Sequence, residues 1–182
     1  MSPDWPLETE RLTLRPLEER DWEAFAAIQA DPETARWLYN EPRVGAEARA
    51  HFDRKRAGSA LAAEDDWLSC AAADRASGAL VGDVSFHWVS AEHRTGEIGF
   101  VFSAGHRGKG YATEAAAAVL DWAFAAGFHR VIGRTEPRNT PSARVLEKLG
   151  MRREAHFLEN EWVKGEWQSE LVYAILEREW RR

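Results

Sequence analysis

The stretch Ser103–Ala115, "SAGHRGKGYATEA", sets basic residues and three glycines directly ahead of a long alanine-rich run. Glycine loses more conformational freedom on folding than any other residue, so it clusters where backbone must take a positive φ or pass close to something. A bare, basic turn between a strand and a helix points to an anion as the thing approached. Free N–H groups and the positive end of a helix dipole favour negative charge there, and the missing side chains at Gly108 and Gly110 let backbone come near it. Two familiar phosphate loops do not fit. A Walker loop needs Ser or Thr after Gly-Lys, and here Gly110 follows Lys109. A dinucleotide fingerprint starting at Gly108 needs Gly or Ala where Thr113 stands, and it belongs within alternating βαβ units.

The surroundings are of another kind. "WLSCAAAD" (67–74) and "ALVGDVSFHWV" (79–89), joined by Arg75–Gly78, predict a strand hairpin, and "GEIGFVF" (Gly96–Phe102) the third member of a meander. After the turn, Thr113–Ala126 is apolar around most of a helical circumference, with Gly127 placed for a left-handed cap, so this helix is expected to be buried against the sheet. "RVIGRTE" (Arg130–Glu136) is the next strand. "TPSARVLEKLG" then gives Thr140 as N-cap, Pro141 at the first helical position and Gly150 as stop. Met151–Glu161 and Glu166–Leu176 flank a Lys164-Gly165 turn as a closing hairpin.

Upstream, "RLTLRPL" (Arg11–Leu17) alternates as a first strand with Leu12 and Leu14 on the core face. Asp21 opens a helix whose apolar stripe is Trp22, Phe25, Ala26 and Ile28, stopped by Asp31-Pro32. Helical composition returns at Thr34–Leu38 and Ala46–Lys55.

The 182 residues fit one domain spanning 1–182, and 45% hydrophobic with 30% charged residues is the composition of a packed, soluble protein rather than a disordered one. The formal charge of -6 argues against a general nucleic-acid binder, since those neutralise phosphates with a basic excess. No segment approaches the roughly 20 apolar residues of a membrane span, so no membrane partner is expected. The start "MSPDWPLETE" has no apolar stretch of signal-peptide length, and the cytoplasm is the expected address. Cys70, the single cysteine, excludes an internal disulfide and is expected as a small buried apolar residue rather than a catalytic thiol. Six histidines, among them His87, His106 and His129, show no HExxH or Cys/His spacing, so no metal is expected.

Arg107-Gly108-Lys109-Gly110-Tyr111-Ala112 resembles the Arg/Gln-x-x-Gly-x-Gly/Ala loop with which the GCN5-related N-acetyltransferases hold the pyrophosphate of acetyl-coenzyme A. The likeness extends over most of the chain. "LETERLTLRPL", "GEIGFVF", "NTPSARVLEKLGMRREA" and the hairpin with "VKGEW" resemble, in order, segments of the ribosomal-protein N-terminal acetyltransferases of the RimJ/RimL kind. The resemblance implies an α/β fold with a central mixed, mostly antiparallel sheet, flanked by helices and splayed between its fourth and fifth strands. It implies acetyl-coenzyme A as co-substrate, and an amine acceptor that is a protein N-terminus or a small molecule such as an antibiotic or polyamine. It also allows a homodimer. A non-catalytic coenzyme-binding module would need the glycine loop alone.

Acetyl transfer to an amine needs a deprotonated nucleophile, a polarised thioester carbonyl and a proton for the leaving thiolate. By resemblance the splayed strands are Glu97–Phe102 and Val131–Thr135, and backbone N–H groups near Phe100, Val101 and Phe102 would meet the thioester oxygen. Many relatives place an acidic tyrosine where Leu146 stands. The RimJ/RimL kind resembles this chain in carrying Ser142, which is either the proton donor to the thiolate or an ordinary helix-start serine. Asn139 is either a cap or a contact to the coenzyme arm. Glu161 matches the glutamate assigned as base in RimL-like enzymes, and Glu97 is its rival. On its strand Glu97 shares a face with Gly99 and Val101, opposite Ile98, Phe100 and Phe102, and either glutamate can also be read as a solvated carboxylate. Trp37, Trp88, Trp162 and Trp167, four of nine tryptophans, fall in segments that border the acceptor cleft in this family.

Overall fold

The computed structural model describes residues 1–180. Eight strands form one sheet: β1 (Leu7–Glu8), β2 (Leu12–Arg15), β3 (Trp67–Asp74), β4 (Leu80–Ser90), β5 (Thr95–Phe102), β6 (Arg130–Thr135), β7 (Arg152–Val163) and β8 (Glu166–Leu176). Their order across the sheet is β1-β2-β3-β4-β5-β6-β8-β7. Only β5 and β6 run parallel; every other neighbour pair is antiparallel. This is the expected mixed, mostly antiparallel sheet. The short β1 adds one to the count, so the parted strands are fifth and sixth rather than fourth and fifth.

Helices cover both faces. On one lie α1 (Trp22–Ala30), α2 (Pro32–Ala35) and α3 (Gly45–Ala57), and on the other α4 (Tyr111–Ala125) and α5 (Thr140–Lys148); α6 (Glu177–Trp180) follows β8. Strand alternation sends alternate residues to the two sides. Leu12, Leu14, Phe86, Ile98, Val131 and Tyr173 join the α4 helix's Val119, Leu120 and Ala123 in the larger core, while Leu17, Phe25, Ile28, Phe52 and Val101 form a smaller one. Leu12 and Leu14 are fully buried as expected, and so is Cys70, whose thiol burial pushes up to about 12, which leaves it inert at neutral pH.

Several helix starts differ from the expected ones. Asp21 does precede α1, but its carboxylate turns back to the Arg15 guanidinium at 2.7 and 2.8 Å and to the Glu18 N–H at 2.8 Å, and does not cap α1. Asp31 both ends α1 and caps α2, accepting from the Glu33 and Thr34 N–H groups, with Pro32 as the first helical residue. The cap of α5 is Asn139, not Thr140: its carboxamide oxygen accepts from the Ser142 N–H at 3.3 Å. The α4 helix starts at Tyr111, two residues ahead of Thr113, because Gly110 at φ +85° supplies the left-handed entry that a residue with a Cβ would resist. The Lys164-Gly165 turn has both residues at positive φ, the hairpin geometry whose twist matches the flanking strands.

One cluster ties the first strand to the start of α4. Glu114, in the first turn of α4, accepts from the Thr9 hydroxyl (2.6 Å), the Arg11 N–H (2.7 Å) and the Arg11 guanidinium Nε (2.7 Å). The same guanidinium donates to the Lys109 carbonyl at 2.8 Å and lies 4.6 Å over the Tyr111 ring. Partial burial pushes the Glu114 carboxyl up, but the Thr9 and Arg11 donors outweigh it and hold the group below its ordinary 4.5. A depressed folded pKa adds stability that is present above the unfolded value and lost as pH falls through the folded one. Glu114→Gln should therefore lower stability by about 2 kcal/mol at neutral pH, and the deficit should shrink towards zero below pH ~4. Denaturant titrations of both proteins from acid to neutral pH check this; a deficit that does not change with pH would contradict the ionised clamp.

Candidate functional site

The site begins where two strands part. The parallel ladder between β5 and β6 has three pairs, Thr95↔Arg130, Gly96↔Val131 and Glu97↔Ile132. β5 nevertheless stays with β4 as far as Gly82↔Phe102, and β6 stays with β8 as far as Thr135↔Leu171. From Ile98 to Phe102, the β5 edge that faces β6 therefore has no ladder. Phe100, Val101 and Phe102 lie on this edge.

The glycine turn sits at the open end of the gap. The first bond of α4 runs from the Glu114 N–H to the Gly110 carbonyl (3.0 Å), so the N–H groups of Tyr111, Ala112 and Thr113 lie ahead of the helical ladder, and no side chain caps them. Gly108 and Gly110 have φ of +73° and +85°. A Cβ on Gly108 would meet nothing within 4 Å, whereas one on Gly110 would come to 3.3 Å from the Arg11 guanidinium. Open backbone and a helix N-terminus thus coincide, as the sequence led us to expect. The basic residues divide the work differently from expectation. Arg107 does not offer its charge to the turn's mouth: it donates to the Phe102 carbonyl (3.1 Å) and the Thr34 hydroxyl (2.5 Å) and pairs with Asp31 (3.3 Å), tying the loop to the α1–α2 junction. Arg11, ahead of β2, braces the loop from its other side.

The two proposed acid and base ends fall on opposite faces of the sheet. The α5 helix lies on the α4 side, close enough that a Cβ on Gly133 would come to 2.6 Å from Leu146. Leu146, 1% exposed, is thus a core residue. Ser142 and Asn139 stand at the start of that helix, Ser142 partly buried. Glu97, Arg134, Glu170 and Glu161 share the other face, because Glu97 stands abreast of Ile132, Arg134 abreast of Val172, and Glu161 abreast of Gln168. The gap between β5 and β6 joins the two sides.

On the carboxylate face Glu97 is not a free base: Arg134 Nε pairs with it at 3.2 Å, and Arg134 Nη1 pairs with Glu170 at 3.0 Å. Glu161 hydrogen-bonds the Tyr39 hydroxyl. Desolvation, that hydrogen bond and the nearby Glu161, Glu170 and Glu97 carboxylates all raise the Tyr39 phenol above its ordinary value. Burial raises Glu170 too; Arg134 opposes this and Glu161 adds to it. The β7–β8 hairpin that carries Glu161 is held to this face by Lys164, whose ammonium donates to the Ala35 carbonyl at 2.6 Å. Between Phe157↔Glu170 and Glu161↔Gln168 the strand β7 carries extra residues, with Glu159 at φ +48°, and this bulge sets where Glu161 lies.

The four tryptophans singled out in the sequence fall in different places. Trp88 packs in the larger core against Phe128, on the face opposite Glu97. Trp162 and Trp167 form an exposed edge-to-face pair that alternates away from Glu161 and Gln168. Trp37 lies under the Arg36 guanidinium. The ring on the carboxylate side is Trp67, stacked on His87 with centroids 4.4 Å apart and 5° between planes, in register with Glu97 across β3, β4 and β5. Glu170, Arg134, Tyr39, Trp67 and Arg11 were all missed in the sequence. Strand register alone would have placed Trp67 on the face of Glu97, with His87 between them. Among the described residues, no three His, Cys, Asp or Glu side chains form a group able to hold a metal ion, and no helix is long and apolar enough to cross a membrane.

Known proteins resemble this chain in sequence and in fold. The acetyltransferase (GNAT) domain model matches residues 11–152. YnaD of Bacillus subtilis, described as an uncharacterized N-acetyltransferase, is 34% identical over 175 residues, covering 96% of this chain and 98% of its own. YdaF of the same organism, a putative ribosomal N-acetyltransferase, is 28% identical over 94% of each chain. The crystal structure of a GNAT-family acetyltransferase from Bacillus anthracis superimposes with a TM-score of 0.86 at 35% identity, covering 96% of this chain and 99% of that one. With its parted strands, its glycine turn and these relatives, the chain belongs to the GNAT family of N-acetyltransferases, enzymes that transfer an acyl group from acyl-coenzyme A to an amine.

Proposed function

We propose that residues 1–182 act as one acetyl-coenzyme A-dependent N-acetyltransferase domain of the RimJ/RimL kind, whose acceptor is the α-amino group of a protein. The observation that carries this reading is the position of the gap, which links a polar helix start on one face of the sheet to a carboxylate cluster on the other. The likeness to YdaF supports the protein acceptor. A small-molecule amine is the rival acceptor, and an acyl chain other than acetyl the rival donor.

In this reading the N–H groups from Gly108 to Ala112 and the start of α4 bind the coenzyme pyrophosphate, with Arg107 and Lys109 shaping the loop. Acetyl-coenzyme A supplies the activated thioester. The unpaired edge of β5 at Phe100–Phe102 polarises its carbonyl. Glu161 takes the proton from the acceptor ammonium; Glu97 is the weaker candidate because Arg134 already engages it. Ser142 donates to the departing thiolate, and its backbone N–H is held by Asn139.

The test is thiol release from acetyl-coenzyme A over a panel of peptides with free α-amino groups and of small amines. Ser142→Ala should lower turnover by about 100-fold with coenzyme affinity nearly unchanged, since the hydroxyl acts on charge that appears only as the bond breaks. Glu161→Gln should suppress the rate near neutral pH and regain much of it at alkaline pH, where the amine loses its proton unaided. Recovery at high pH in Glu97→Gln and not in Glu161→Gln would reverse the assignment of the base; no thiol release with any amine would remove the enzymatic reading of this site.

A further inference from the structure

Glu170 holds an unusual position. It is 4% exposed, and its two carboxylate oxygens differ in their surroundings. Oε2 pairs with Arg134, whereas Oε1 is buried with no hydrogen-bond partner among the described residues. A buried, ionisable oxygen without a donor is disfavoured unless something else supplies one. Arg134 is already shared with Glu97, so one guanidinium serves two carboxylates, and Glu161 adds a third negative group on the same face. The cluster carries an excess of negative charge with one acceptor left open. These carboxylates do not form a metal-holding group. A protonated amine brings both the missing N–H donor and a charge that offsets the negative excess.

We infer that Glu170 is the acceptor-recognition residue of this enzyme: its buried, unpartnered oxygen receives an N–H of a protonated aliphatic amine, while Arg134 holds the other oxygen in place. The substrate class is a cationic amine, selected over neutral and anionic acceptors. The inference rests on the reading of the carboxylate face as the acceptor side. It explains why an acidic side chain is buried in β8, where an apolar residue would pack better: a carboxylate preorganised by an ion pair engages a cation without having to be reoriented. The exposed ring of Tyr39, close to Glu161, Glu170 and Glu97, offers a cation an aromatic surface on the same face.

The test measures binding apart from catalysis. Calorimetry without coenzyme would compare 1,4-diaminobutane, a C-terminally amidated tripeptide with a free α-amino group, and the N-acetylated form of that tripeptide. Wild type should bind at least one of the two cationic probes and not the acetylated peptide. Glu170→Gln, similar in size but uncharged, should weaken that binding by at least about tenfold, or roughly 1.4 kcal/mol. Glu92→Gln, which removes the same charge from the exposed β4–β5 turn, should behave as wild type. Glu170→Asp, which keeps the charge but draws the oxygen back, should weaken binding as Glu170→Gln does and serves if the latter fails to fold. Unchanged affinity in folded Glu170 variants, or no binding of either cation by wild type, overturns the inference. Thiol release assayed on the same proteins separates the two readings. Turnover with an unaltered KM for amine in Glu170→Gln removes the subsite alone. Amine binding that depends on Glu170 without any thiol release keeps the subsite and removes the acyltransferase reading.

Discussion

The parting of β5 from β6 after three residue pairs is the constraint on which the rest of the molecule turns. Each strand is held away from the other by its remaining neighbour. β5 is kept on β4, where a Cβ on Gly82 would come to 2.5 Å from the Phe102 ring, so glycine alone allows the strands to close there. β6 is kept on β8 as far as Thr135↔Leu171, and Gly133 lets α5 close over it, where a Cβ would come to 2.6 Å from Leu146. Two edges that cannot meet leave backbone donors and acceptors inside the molecule without a ladder. Each such group left unsatisfied disfavours the fold by about 1–3 kcal/mol, so the gap is stable only as a place where water or a ligand completes the bonds.

From that opening follows the division of labour across the sheet. A helix start with free N–H groups lies at the gap's end, braced by Arg11 on one side and Arg107 on the other. Charged groups are segregated on the face away from α4 and α5, where Arg134 binds two carboxylates at once. Such an arrangement keeps acidic groups close to the sheet without a large desolvation penalty for each, because the guanidinium offsets part of their mutual repulsion. It also leaves Glu161, which the Lys164 hairpin anchor and the β7 bulge position, as a carboxylate on that face not engaged by Arg134.

Much of the frame was legible because it is local. Period-two alternation put Leu12 and Leu14 inward and gave Glu97 the right face; the glycine turn and the Lys164-Gly165 hairpin announced themselves by residue type. The cap of α5 was misread by one residue because Asn139 and Thr140 are both good caps, and the choice depends on backbone φ and ψ rather than composition. What the sequence hid is non-local. Arg11 and Glu114 lie 103 positions apart, and Arg107 reaches back 73 positions to Thr34, so neither clamp has a spacing that could reveal it. Glu170 reads in "EWQSELVYAIL" as one more polar residue of an alternating strand; its burial comes from tertiary packing. Trp88 was placed at the cleft for the same reason, since only the register across β4 and β5 shows that its ring lies opposite the carboxylates.

The central claim, that the gap and the glycine turn together form the acyl-donor site, is tested most directly by amide hydrogen exchange with and without coenzyme A. Binding should slow exchange at those N–H groups of Ile98–Phe102 that point towards β6, beyond the last β5–β6 pair, and along Gly108–Thr113 ahead of the α4 ladder, while β2 and β3 remain unchanged. Coenzyme A that binds while leaving both segments unprotected, or that protects a different surface, would contradict it.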